Sequence, residues 1–94
     1  MSKEEIYRVI IERLKHYNAS KIAIFGPYAR NEQTTSSDID ILVDFSDRKT
    51  LLDLIGIEQE LEELLGKKVD LLTAPAIHPR RKEYIEKDLQ VIYS

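Results

Sequence analysis

The stretch Ser37 to Phe45, SDIDILVDF, alternates with a period of two. Ile39, Ile41, Val43 and Phe45 fall on one side of an extended chain, and Asp38, Asp40, Leu42 and Asp44 on the other. That pattern fits a strand with one face on an apolar core, so it commits the chain to a sheet covered on at least one side. It also puts two carboxylates, Asp38 and Asp40, on the same side with Cα atoms roughly 6.5–7 Å apart by the strand rise. Like charges that close repel, and a purely structural strand has no need of them. A positive partner is therefore expected, and a divalent cation is the natural one.

The rest of the chain is read around this strand. From about Lys3 to Tyr17, the residues Ile6, Val9, Ile10, Leu14 and Tyr17 recur at helical spacing between charges, and Asn18-Ala19-Ser20 ends that helix. KIAIF, residues 21–25, reads as a short buried strand broken by Gly26-Pro27. After the Ile39–Phe45 strand, Ser46 or Asp47 is expected to cap a helix carrying Leu51, Leu54, Ile55, Leu61 and Leu65, which Gly66 stops. KKVDLLT is a third strand, Pro75 and Pro79 bracket a loop, a short helix spans about Arg80 to Lys87, and LQVIY closes the chain as an edge strand. The predicted order is α-β-β-α-β-α-β, an α/β (α+β) fold with helices packed on a small mixed sheet.

Bulk properties narrow the function. At 94 residues the expectation is one domain, residues 1–94, burying roughly 60–65% of its unfolded surface. A net charge of −3 from 14 basic and 17 acidic residues is not the footprint of a protein that binds nucleic acid directly. The absence of cysteine excludes disulfides and thiolate chemistry. No apolar segment follows Met1, so neither a signal peptide nor a membrane span is expected, and the expected location is the cytoplasm. His16 and His78 have no ligand-spaced partner and are read as surface residues, and the five tyrosines are too scattered for a base-stacking platform. Arg80-Arg81-Lys82 is read as a solvated face able to meet an acidic partner. Leu51, Leu52 and Leu54 to Ile57 exceed one helical stripe, and the surplus is a candidate protein interface.

Three features join the paired aspartates. Asp70 sits between Val69 and Leu71, so it faces away from its apolar neighbours as Asp40 does, and pairing of the two strands would line three acids along one face. Gly26 follows a strand and allows close backbone approach to a ligand. Arg30, four residues on, carries a planar fork of donors suited to phosphate.

Taken together, Gly26, Tyr28, Ala29, Arg30, the ten residues Tyr28 to Ser37, and then Ser37-Asp38-Ile39-Asp40 resemble the nucleotidyltransferase superfamily. Within it the chain is similar to the minimal nucleotidyltransferase (MNT) antitoxins of the HEPN/MNT toxin–antitoxin type. The resemblance runs through Asp70 to the closing VIY. It implies that Asp38, Asp40 and Asp70 hold Mg2+ and are the catalytic acids, with Asp70 helping to deprotonate the acceptor. It implies that Gly26, residue 27, Arg30 and Ser37 hold the nucleotide. The implied reaction moves AMP from ATP to a tyrosine hydroxyl of a partner HEPN ribonuclease toxin, with which the chain forms a hetero-oligomer.

Two positions depart from the family pattern. Pro27 stands where the family has serine and lacks both the hydroxyl and the backbone N–H. Asn31 stands in place of a glycine, a milder change because Asn tolerates the left-handed region. The alternative to an enzyme is thus an antitoxin that neutralises its partner by stoichiometric binding alone, and a third reading is a small-molecule nucleotidyltransferase.

Overall fold

The computed structural model describes all residues, Met1–Ser94. Its elements are α1 (Lys3–His16), β1 (Ala19–Phe25), β2 (Ile39–Phe45), α2 (Leu51–Leu65), β3 (Val69–Thr73), α3 (Pro79–Lys87) and β4 (Gln90–Tyr93). Single 3₁₀ turns occupy Gly26–Tyr28 and Ala74–Ala76. The element order and the mixed α/β architecture are those the sequence predicts.

The sheet runs β3-β2-β1-β4. β1 is antiparallel to both β2 and β4, whereas β2 and β3 are parallel and joined through α2. Parallel neighbours need such a crossover, and the stretch between Phe45 and Val69 provides it. Ile22 and Ile24 of β1, Ile39, Ile41 and Val43 of β2, and Val69 and Leu71 of β3 form one apolar face. Against it pack Ile6, Ile10 and Leu14 of α1 and Ile57, Leu61 and Leu65 of α2. Ala23 and Phe25 of β1 and Ile85 of α3 are buried outside this cluster, the strand residues on the opposite face of the sheet and Ile85 facing Ala23 from α3. That second face is the one bearing Asp40, Leu42 and Asp44.

Local chemistry ends each helix. Ser2 accepts from the Glu5 N–H at the start of α1, and Asn18, at φ 71°, turns the chain into β1. The cap of α2 is Thr50 rather than Ser46 or Asp47: its hydroxyl accepts from Asp53 N while the Asp53 carboxylate accepts from Thr50 N. This reciprocal pair satisfies two orphan donors at once, which a cap several residues earlier cannot do. Gly66, at φ 64°, closes the helix as expected. The buried stripe of α2 is Ile57, Leu61 and Leu65, while Leu51 and Leu52 are 73% and 80% exposed. The apolar surplus at the start of α2 therefore lies at the surface. No helix is long and apolar enough to cross a membrane.

β3 is an edge strand, yet its outward donors are used. Val69 N donates to Glu62 Oε2 and Leu71 N to Glu58 Oε2, each at 2.9 Å. Four helical residues advance about 6 Å and two strand residues about 6.6 Å, so carboxylates at i and i+4 of α2 match alternate N–H groups of β3. The pairing blocks an edge that would otherwise recruit another strand, and it anchors the strand that carries Asp70.

Candidate active site

The register of the parallel pair decides the geometry. Asp40 lies opposite Asp70, with Ile39 opposite Val69 and Ile41 opposite Leu71, so the two acids are lateral neighbours on the face away from the main core. Asp38, just before β2, is exposed, and its negative charge acts on Asp40. Burial, then the charges of Asp70 and Asp38, push the Asp40 carboxyl up to about 6. The charges of Arg81 and Arg30 oppose that rise.

The turn after β1 meets the same carboxylate. Gly26 is buried, adopts φ 73°, and its Cα faces Asp40: a side chain there would overlap Asp40 Oδ2 and lie 3.2 Å from Asp40 Cγ. Both the backbone conformation and the close approach call for glycine. Gly26→Ala is expected to destabilise the protein by about 2–3 kcal/mol, from left-handed strain plus the overlap. Denaturant midpoints check this, and Gly26→Ala combined with Asp40→Ala should recover part of the loss, since the double variant removes the carboxylate from the overlap. Equal midpoints for parent and Gly26→Ala would sink the steric account.

The remaining sequence-predicted positions are placed as follows. Pro27 occupies the first turn of the Gly26–Tyr28 3₁₀ segment, where its fixed φ suits the turn. Asn31 adopts φ 61°, the left-handed conformation that glycine would fill. The Ser37 hydroxyl accepts from Thr34 N at 2.8 Å and so shapes the loop that leads into Asp38. Arg30 is half-buried and paired twice, Nε to Glu32 Oε1 and Nη1 to Asp88 Oδ2, both at 3.3 Å. Its fork is thus shared with two carboxylates that sequence reasoning did not pair with it. His78 is exposed and accepts from Arg80 N as the cap of α3, and His16 is exposed near the end of α1.

Asp40 and Asp70 are neighbours and Asp38 adjoins them, but no group of three or more His, Cys, Asp or Glu side chains closes on one point as a ready cage. The donor chemistry nevertheless fits a hard divalent cation. Magnesium commonly takes one or two carboxylates and completes its octahedron with water and phosphate oxygens. The Asp40 carboxyl is raised first by burial and then by the negative charges of Asp70 and Asp38, and it is this second part, like charge held together on one side of the sheet, that a bound cation would relieve.

Glu58 and Glu62 were missed as supports of the Asp70 strand, and the one signal for them was their spacing of four on a helix next to a strand. Arg81 was read only as part of a solvated run, yet its charge reaches Asp40.

With this geometry in place, comparison with known proteins is decisive for the family. A profile described as nucleotidyltransferase domain matches residues 7–92. The chain belongs to the nucleotidyltransferase family. A protein of Methanocaldococcus jannaschii, provisionally named a protein adenylyltransferase, is 53% identical over 85 residues, spanning 90% of this chain and 91% of the relative. Protein adenylyltransferase MntA of Thermococcus cleftensis is 40% identical over 76 residues, 77% of each chain. Among solved structures, the complex of the tri-AMPylated Shewanella oneidensis HEPN toxin with MNT antitoxin contains a chain that superimposes with a TM-score of 0.81. That match has 20% identity and covers 99% of this chain and 73% of the other, a likeness of fold. As a nucleotidyltransferase, the protein carries its paired strand aspartates and its post-β1 glycine in one place.

Proposed function

We propose that this nucleotidyltransferase is the antitoxin of a toxin–antitoxin pair and transfers AMP from ATP to a tyrosine hydroxyl of a HEPN-type toxin. The observation that carries the reading is the juxtaposition of Asp40 with Asp70 across parallel strands, with the Gly26 turn seated directly on Asp40. The names of the relatives support the adenylyl chemistry, and the fold likeness to the HEPN–MNT complex supports the kind of partner. Leu51, Leu52 and Ile55, exposed on α2, offer apolar surface of the kind a protein partner covers.

In this reading Asp38, Asp40 and Asp70 hold magnesium, which when bound neutralises phosphate charge and steadies the leaving group. Asp70 accepts the proton of the tyrosine hydroxyl as the oxygen bonds to the α-phosphorus, and the bond from that phosphorus to the bridging oxygen breaks to release pyrophosphate. The Gly26 backbone and Ser37 orient the phosphates, and Arg30 adds a cation. Its pairs with Asp88 and Glu32, each at 3.3 Å, are the contacts with which a phosphate would compete. The test is incubation of the protein with ATP, magnesium and the candidate toxin, followed by intact mass of the toxin. One or more added AMP groups are the expected result. A toxin neutralised in a stoichiometric complex with no mass gain would replace the enzyme reading with the binding-only one.

Pro27 bears on the rate. The Gly26–Tyr28 turn has no backbone N–H at its second residue, so that position cannot donate to a phosphate. Pro27→Ser is expected to raise nucleotide affinity or transfer rate by up to roughly a hundredfold through a regained hydroxyl and N–H. Single-turnover transfer measures it, and an unchanged rate would show that the turn binds phosphate without this residue.

A further inference from the structure

We propose that the cavity beneath α3 is the acceptor subsite and holds the aromatic ring of the tyrosine that receives AMP, an inference that rests on the nucleotidyl-transfer reading above. The first ground is where the strand register puts it. On the face of the sheet that bears Asp40, Phe25 lies opposite Asp40, Ala23 opposite Leu42 and Lys21 opposite Asp44. Ala23 and Leu42 line a cavity of about 470 Å³, which Ile77, Ile85 and Leu89 close from the α3 side. Gly26 follows Phe25 at the other end, with its Cα facing the Asp40 carboxylate. Along the strand axis Asp40 thus stands between the Gly26 turn and the cavity, and the cavity is continuous with the candidate active site through Leu42.

Displacement at phosphorus places the entering and leaving oxygens roughly in line on opposite sides. With the departing phosphates held at the Gly26 turn, pyrophosphate leaves toward that turn and the acceptor oxygen enters from the side of Leu42. Asp40 and Leu42 are about 6.6 Å apart by the strand rise, a span that a tyrosine side chain bridges with its ring over Leu42 and its hydroxyl toward the acids. In that pose the phenol oxygen bonds to the α-phosphorus, the bond from phosphorus to the bridging oxygen breaks, and the proton passes to Asp70, the lateral neighbour of Asp40. The second ground is the chemistry of the walls. Between sheet and helix they are aliphatic, which suits a ring with one polar end better than a purine, whose edge carries several hydrogen-bonding atoms. Lys21, Asp44, Lys82 and Glu86, also at the cavity, take part in no ion pair, so both signs of charge are available to the main chain on either side of the acceptor residue.

The experiment uses the full chain with magnesium, ATP and the candidate toxin, reading AMP transfer by intact mass and AMP-PNP binding by calorimetry. Ala23→Met fills the cavity from the sheet, and Ala74→Phe fills it from an exposed residue of its lining, which leaves the core as it is. Both are expected to lower transfer by about a hundredfold, the effect of misplacing a reacting group, while AMP-PNP binds as it does to the parent. In parallel, p-cresol, the side chain of tyrosine, is titrated into the parent loaded with magnesium and AMP-PNP. Saturable shifts of the Ala23, Leu42 and Ile85 methyl resonances are expected, and this arm decides even where a variant unfolds. Transfer by Ala74→Phe at the parental rate overturns the inference, and so does p-cresol that leaves these methyls unmoved. A loss of AMP-PNP affinity in step with transfer also overturns it and assigns the cavity to the nucleobase. A parent that adds no AMP to the toxin overturns the underlying transfer reading and the inference with it. That failure shows in the parent, whereas failure of the inference alone shows in the variants or with p-cresol.

Discussion

Asp70→Asn is expected to lower AMP transfer to the toxin by about 10²–10⁴-fold while leaving the complex of the two proteins intact. The argument starts from the strand. Asp70 is held opposite Asp40 by the parallel register, and the backbone of β3 is fixed on its outer side by Glu58 and Glu62. Asparagine preserves the size and shape of the side chain but cannot take the proton from the attacking hydroxyl, and it removes one anionic oxygen from the cation site. Neither loss touches the exposed apolar surface of α2, the proposed docking surface. Intact mass of the toxin reads the transfer, and co-purification or size-exclusion chromatography reads the complex. Transfer at the parental rate would remove Asp70 from the mechanism. Loss of the complex together with transfer would mean that Asp70 serves docking.

Asp40→Asn is expected to have opposite effects on binding and on stability. Removing a ligand should abolish detectable binding of magnesium with AMP-PNP, a loss larger than any surface charge change produces. The same change should stabilise the ligand-free protein. The Asp40 carboxyl is pushed up to about 6 by burial and by Asp70 and Asp38. In the window between its ordinary value and about 6, the folded chain binds more protons than the unfolded chain, so stability falls as pH rises through that window, and the penalty is complete above it. Asparagine does not titrate and escapes the penalty. After a discount for partial exposure, the variant should gain about 1–2 kcal/mol at pH 8, or about 5–10 °C in melting temperature, with the gain fading toward pH 4. Added magnesium and nucleotide should reverse the ranking, since only the parent gains stability from a ligand that binds the folded state. A variant that melts with the parent at both pH values would show that Asp40 carries no electrostatic load, and retained nucleotide binding would place the site elsewhere.

These two outcomes bear on why the chain keeps an arrangement that weakens it. Acids gathered on one side of adjacent strands repel, and a sheet selected for stability alone would not hold them together. Their presence opposite a glycine that leaves space for one of them accords with the proposed site for a cation and a polyanion.

Much of this was legible along the chain because its signals are local. Alternation in Ile39–Phe45, the 3.6-residue stripe of α1, the stop at Gly66 and the interval from Gly26 to Asp38 depend only on neighbouring residues, and each appears where it was expected. The side of the strand on which Asp40 lies follows from the same period of two. What tertiary structure alone decided is every relation between distant segments. The parallel register that sets Asp70 opposite Asp40 comes from the crossover through α2, and the stripe of α2 that faces the core, Ile57, Leu61 and Leu65, was settled by the surface it had to cover rather than by its own apolar surplus. The closeness of Gly26 to Asp40 and the capture of Arg30 by Asp88 join residues 14 and 58 positions apart. Periodicity says which face of an element is apolar, but the partner of that face, and the charges that meet across the other one, are set only when the elements pack.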